Sequence, residues 1–284
     1  MWLGGHIGSV PVALLDLLYL TALGLCVANE IVAGRNWKNA PVLISLALLV
    51  AANALFHLEA AGYAILEGLA VRLSISVMAM LVSLIGGRVV PSFTRNWFAK
   101  NDGPEIVQPM GVFDKVSLVV SVAALGVWIV IAESQVAGGC LVVTGLLHLV
   151  RLARWRGWQT TGEGLVTILH VAYLRLGIGL TLLGTSMLDE TVTRTAALHM
   201  LTLGAMGTMI LAVMTRAILG HTGRNLRAGP GTIAIYILVT AALALRVGHE
   251  FAPWVELVWA PALSWTAAFG LFVWIYAPMT YRGR

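Results

Sequence analysis

Runs of about twenty apolar residues, separated by short polar breaks, recur from one end of this chain to the other. A membrane's hydrocarbon core is about 30 Å thick, so a helix rising 1.5 Å per residue needs about twenty apolar residues to cross it. Counted this way, the pattern predicts nine spans, near residues 10–33, 40–61, 66–85, 116–132, 136–153, 164–187, 195–219, 231–247 and 254–277. No run shows the strict alternation of a half-buried strand. The expected fold is an all-α integral membrane protein, a polytopic helical bundle of about nine transmembrane helices forming one domain over residues 1–284.

Composition agrees with that pattern. Hydrophobic residues make up 59% of the 284 positions and charged residues only 11%, with a mean hydropathy of +0.88. A soluble domain does not sustain such a balance. The net charge of +5 is dispersed between apolar runs, which points to topology and the lipid bilayer as partner, and away from nucleic acid.

The positions of the charges then orient the chain. One set comprises Arg35, Lys38, Arg88, Arg95, Lys100, Lys115, Arg151, Arg154, Arg156, Arg216, Arg224, Arg227, Arg282 and Arg284, fourteen of the eighteen Lys and Arg. It alternates along the spans with Glu59, Glu67, Glu133, Asp189, Glu190, Glu250 and Glu256. The positive-inside rule makes the first set cytoplasmic, with the N-terminus outside and the C-terminus inside. Residues 1–9 carry no Lys or Arg, so the first run reads as a retained span, unlike a cleaved leader. The longest break, about residues 86–115, is expected to be a cytoplasmic loop, with Phe93, Trp97 and Phe98 among Arg95 and Lys100 suited to the membrane surface. Cys26 and Cys140 fall near opposite faces, about 20 Å apart in depth, and should not pair. No phosphate loop, dinucleotide fingerprint or metalloprotease helix motif is present.

Candidate chemistry rests on histidines. His57 and His199 fall near the outer ends of the second and seventh spans, and His148 and His170 in the inner halves of the fifth and sixth. An imidazole in an apolar span is costly unless satisfied. Two histidines from different helices at one depth suit a b-type haem, so the outer and inner pairs are candidate cofactor sites. A satisfied core histidine is the competing reading for each. His221 ends the seventh span beside Gly220 and Gly223, His249 adjoins Glu250 in the outer loop, and His6 is in the N-terminal tail. Met200, Met206, Met209 and Met214 share the span of His199; thioethers suit copper, though packing is their commoner use. Gly204 and Gly207 leave room there for a flat cofactor or another helix. Arg175 lies deep in the sixth span, a candidate partner for a haem propionate or other anion. Arg72 and Arg246 read as snorkelling cations, and Asp16 and Glu30 as possible members of a proton route.

Four stretches in order carry a family resemblance: 53–59 (Asn-Ala-Leu-Phe-His-Leu-Glu), 86–97 (Gly-Gly-Arg-Val-Val-Pro-Ser-Phe-Thr-Arg-Asn-Trp), 168–173 (Ile-Leu-His-Val-Ala-Tyr), and 196–224, which ends in Gly-His-Thr-Gly-Arg. Together they resemble the NnrS family over nearly the whole chain. The resemblance implies a bacterial inner-membrane protein of the nitric oxide response that contains haem and copper. It carries ligand roles onto His57, His170, His199 and His221, whereas His148 rests on depth alone. Family members look like twelve-span proteins with a His-rich outer motif in their first spans; that motif is absent here, and about three N-terminal spans with it. A partner subunit or oligomer supplying them, or a reduced cofactor set, is the expectation that follows. The function expected is a haem-binding membrane protein that binds or detoxifies nitric oxide or passes electrons. A membrane oxidoreductase subunit, reducing nitric oxide or linked to quinol and completed by a partner chain, is the alternative, and a cofactor-free transporter lined by Arg175, Asp16 and the histidines the third.

Overall fold

A computed structural model describes residues 8–63, 67–101, 107, 110–252 and 259–281. Every regular element among them is helical. Lipid offers no partner for a backbone N–H or C=O, and a helix satisfies both within itself. Nine of the helical runs are long and apolar enough to cross a membrane, with mean hydropathies from 1.4 to 2.1. The bounds fall within a few residues of the predicted ones, except at the third span, where the helical run is Leu69–Lys100. Much of the expected 86–115 loop is therefore helix. His6, Glu256, Arg282 and Arg284 lie outside the described residues.

The chain divides into two compact units, residues 1–81 and 82–284. The first holds α1 (Ser9–Ala33), α2 (Ala40–Ala60) and α3 (Leu69–Leu81), with α2 packed on both others. Few of its side chains are buried: Val10, Leu14, Leu15, Leu18 and Leu25 of α1 are all more than 60% exposed. A helix apolar on all sides and uncovered by protein matches a surface that faces lipid.

The second unit opens with a π turn, Val82–Gly86, and α4 (Gly87–Lys100), then α5 (Val112–Val130), α6 (Gln135–Ala153), α7 (Gly164–Thr185) and α8 (Arg194–His199). A π-helical segment, Met200–Gly207, leads into α9 (Thr208–His221), followed by α10 (Pro230–Phe251) and α11 (Trp259–Tyr281). Polar side chains start several of these helices. Ser134 accepts from the Ala137 N–H, Glu163 from Leu165 and Thr193 from Ala196, each covering a donor that the first turn leaves open.

Helix α7 is the core of this unit and packs on α4, α6, α8, α9 and both π segments. Glycines let α6 approach it backbone to backbone. A Cβ at Gly138 would press on the Gly184 carbonyl, and one at Gly145 would meet Thr181 and the Gly177 carbonyl. The two pairs are spaced seven residues apart on each antiparallel helix, the repeat of a left-handed crossing. Gly207 serves a similar end. The Trp265 ring of α11 fills the space a side chain there would need, and Leu243 of α10 lies over Gly204. The room at Gly204 and Gly207 is thus taken by neighbouring helices.

Candidate functional site

At the centre of the second unit, His148 of α6 and Tyr173 of α7 are almost fully buried, with exposures of 1% and 0%. The hydrogen bonds around them run in one direction. Arg151 can only donate. Its Nε donates to Asp114 Oδ1 at 2.7 Å, and its Nη1 to the Tyr173 hydroxyl oxygen at 2.8 Å and the Ser83 carbonyl at 3.1 Å. Tyr173, already accepting from Arg151, donates its own proton to His148 Nδ1 at 2.9 Å. The neutral ring then carries its proton on Nε2 and donates to Ser121 Oγ at 2.9 Å, while Ser121 donates to the Ser117 carbonyl at 2.6 Å. Both nitrogens of His148 are engaged, so metal ligation there would require breaking one of these bonds.

Asp114 anchors the other end. Its Oδ2 accepts from the Gly111 N–H at 2.9 Å, capping α5, and stands 3.5 Å from Arg154 Nη1. Arg151 is 0% exposed and Asp114 3%, so little of this pair reaches water. A Cβ at Gly87 would overlap the Arg151 guanidinium, which explains a glycine at the start of α4. Asp114 also lines a cavity of about 580 Å³ with Arg154, Trp155, Arg156 and Trp158, at the end of α6.

His170, one turn before Tyr173 on α7, is placed differently. Its Nδ1–H donates to the Val166 carbonyl at 3.0 Å, which fixes the tautomer and leaves the lone pair on Nε2. The neighbour of that lone pair is Thr94 Oγ1 at 3.2 Å, but the Thr94 proton already goes to the Val90 carbonyl at 2.8 Å. One hydroxyl proton faces two acceptors, so Nε2 is poorly satisfied. A backbone carbonyl on one nitrogen and an available lone pair on the other is the usual state of a metal-binding histidine.

The surroundings of His170 suit a flat apolar group. It lines a cavity of about 380 Å³ walled by Leu149, Leu152, Ala153, Trp158, Val171 and Leu174. The turn Gly157–Gln159 crosses the imidazole, and a Cβ at Gly157 would overlap the ring. Arg156, just before it, adopts φ 50° and ψ 41°, a left-handed conformation that costs a non-glycine residue about 1 kcal/mol or more. That strain sets the turn against His170.

The remaining predicted residues are dispersed. In the first unit, His57 Nε2–H donates to Asp16 Oδ2 at 3.0 Å, joining α2 to α1. In the second, His199 Nε2 accepts from Arg246 Nε at 2.8 Å, so Arg246 is held by a ring and the proton of that ring lies on Nδ1. The π segment begins directly after His199; such segments are frequent at functional positions. Arg175 is 7% exposed and donates to Thr208 Oγ1 at 2.6 Å and Thr240 Oγ1 at 2.9 Å. No carboxylate stands at ion-pair distance from it among the described residues. His221 is exposed at the end of α9.

For copper the fit is poor. Among the described residues no three His, Cys, Asp or Glu side chains gather as a metal-binding group. Met206 and Met209 are buried, and the Met209 methyl lies where a Gly86 side chain would go, as packing atoms do. Cys26 and Cys140 are free thiols.

Sequence reading missed Asp114, the burial of Arg151 and the role of Tyr173. Two signals were present: Arg151 follows His148 by three residues and Tyr173 follows His170 by three, spacings that place each pair on one helical face.

Comparison with curated proteins and with solved structures yields no match. A family model does match, that of the NnrS protein, and it covers residues 1–284. By that match the chain belongs to the NnrS family.

Proposed function

We propose that this chain is a haem-binding protein of the bacterial inner membrane that acts in the nitric oxide response, with His170 as the haem ligand it supplies. Its family is associated with that response, and its nine apolar helices fit a multi-pass membrane protein. The observation that carries the reading is the state of His170. Val166 holds its Nδ1–H, Nε2 lacks a committed donor, and the ring faces an apolar cavity beneath a glycine.

When bound, b-type haem would supply an iron able to take up nitric oxide or to pass an electron. The chain's own contribution is orientation and exclusion of water. The Val166 carbonyl prevents the imidazole from rotating and raises the basicity of Nε2. Leu149, Leu152, Val171 and Leu174 keep the cavity wall dry. The His148 chain is the support behind it, since Tyr173 shares α7 with His170 and is fixed by Arg151 and His148.

A second reading, a membrane oxidoreductase, is favoured by that same chain. Reduction of nitric oxide consumes protons, and Tyr173 and His148 form a buried donor–acceptor pair that Arg151, always protonated, orients from the Asp114 side without relaying a proton itself. His148 Nδ1 is the atom that would hold a proton drawn from Tyr173.

Reduced-minus-oxidised absorption spectra of the detergent-purified protein, with and without nitric oxide, test both. Wild type should show a Soret band that shifts with nitric oxide, and His170→Ala should lose it. A Soret band retained in full by His170→Ala would refute the assignment of the ligand. Nitrous oxide formation with an added electron donor, lost in His148→Ala while the Soret band persists, would establish the second reading.

A further inference from the structure

Arg216 of α9 is 8% exposed, and among the described residues it makes no hydrogen bond or ion pair. Its guanidinium lies over the Phe93 ring of α4, with 3.7 Å from Cζ to the ring centroid. That stacking fixes the plane of the group and leaves its N–H donors unused.

The donors have somewhere to point. Arg216 lines a cavity of about 480 Å³ together with Phe93, Trp97, Lys100, Glu163 and Arg227. Glu163 is the carboxylate in that lining, and its Oε1 is occupied by the N–H groups of Leu165 at 3.1 Å and Ala228 at 2.9 Å. Glu163 thus shapes the cavity, tying the loop before α10 to the start of α7, and its single charge against three cations leaves an excess of two positive charges in the lining.

We infer that this cavity binds a phosphate group, with Arg216 as its two-pronged donor and Lys100 and Arg227 as its flanking charges. A planar guanidinium matches two phosphate oxygens, which a lysine in its place would not. The cavity sits where α4 and α9 end and α7 begins, with Trp97 and Phe93 beside the cations. Aromatic and basic side chains combined at helix ends suit the headgroup layer, so the phosphodiester of an anionic phospholipid is the favoured source and free phosphate the other. This site is separate from His170 and does not depend on haem.

The test is thermal unfolding of the detergent-solubilised protein titrated with phosphatidylglycerol, phosphatidylcholine or inorganic phosphate. A ligand bound to the folded state raises the midpoint in proportion to its occupancy. Phosphatidylglycerol should raise the wild-type midpoint and phosphatidylcholine should not. Arg216→Gln should weaken the apparent affinity at least tenfold, Arg227→Gln by a smaller factor, and Arg224→Gln, outside the cavity, not at all. A rise with millimolar inorganic phosphate alone would assign the site to the free anion, with the same residues. If neither phosphate source moves the wild-type midpoint, or if Arg216→Gln and Arg227→Gln respond as wild type does, the inference fails. Should Arg216→Gln not fold, Arg227→Gln decides.

Discussion

Removal of Asp114 takes away the carboxylate that, among the described residues, forms an ion pair with Arg151. Arg151 is fully buried, and Asp114 Oδ1 at 2.7 Å is its closely bound carboxylate. Breaking a buried pair from one side costs about 3–5 kcal/mol, because the surviving ion keeps its desolvation penalty without its partner. At about 1.4 kcal/mol per decade, Asp114→Ala should lower the folding equilibrium constant by roughly two to three and a half orders of magnitude. Arg154 does not enter this figure, since its side chain is 40% exposed and 3.5 Å away, and such contacts contribute about 1 kcal/mol or less. Asp114→Asn should cost less, about 1–3 kcal/mol, because the amide oxygen can replace only one of the two carboxylate oxygens and the amide NH2 then faces the other donor, the Gly111 N–H or Arg151 Nε. The double replacement Asp114→Leu with Arg151→Met should recover most of the loss, since a buried ion pair replaced whole by apolar groups is often near neutral. Unfolding in mixed micelles of mild detergent and dodecyl sulfate, followed by tryptophan fluorescence and circular dichroism, gives the four free energies. A cost below about 1 kcal/mol for Asp114→Ala, or a double variant no more stable than the single, would refute the claim that this pair is buried and coupled.

Other outcomes follow from the same geometry. Gly145→Leu should destabilise the α6–α7 crossing by more than the 1–3 kcal/mol usual for overpacking, because the added atoms meet backbone at Gly177 and Thr181; the same micelle titration measures it. Gly157→Ala should reduce the Soret absorbance of the purified protein, since the methyl would overlap the His170 ring and must displace the imidazole or the turn; full haem content would count against the proposed ligand. Thr208→Val with Thr240→Val should cost about 2–6 kcal/mol, at 1–3 for each buried donor of Arg175 left unpaired, again read by unfolding. A cysteine placed at Lys100 should be labelled by an impermeant maleimide from the cytoplasmic side alone, and labelling from outside would reverse the orientation drawn from charge.

What was legible in the sequence divides along physical lines. The spans were readable because each must satisfy one local demand, an apolar run long enough to cross lipid, and residues 164–187 or 231–247 meet it without reference to any neighbour. The third span ran past its predicted end because Arg88, Arg95 and Pro91 read as a loop. Yet Gly87, Val90, Pro91 and Thr94 are buried against other helices, so α4 is helical by packing and not by hydropathy. The histidines show the same division more sharply. Depth alone grouped His148 with His170, but depth does not record which proton each nitrogen carries, and the two rings differ in that respect. His148 is closed by Tyr173 and Ser121, residues 25 and 27 positions away, whereas His170 is held by Val166, four positions back on its own helix, and left open on its other side. The alternation of charge places Arg151 with the cytoplasmic cations, where a basic side chain at the end of a span is expected to meet water. Its burial depends on Asp114, 37 positions earlier, capping a helix whose apolar run begins, by hydropathy, two residues beyond it. Ligand competence in this chain is therefore set by long-range donors and acceptors that a hydropathy pattern cannot contain, which is why the residues a family motif marks, His170 and Tyr173 in one six-residue stretch, take such different parts in the structure.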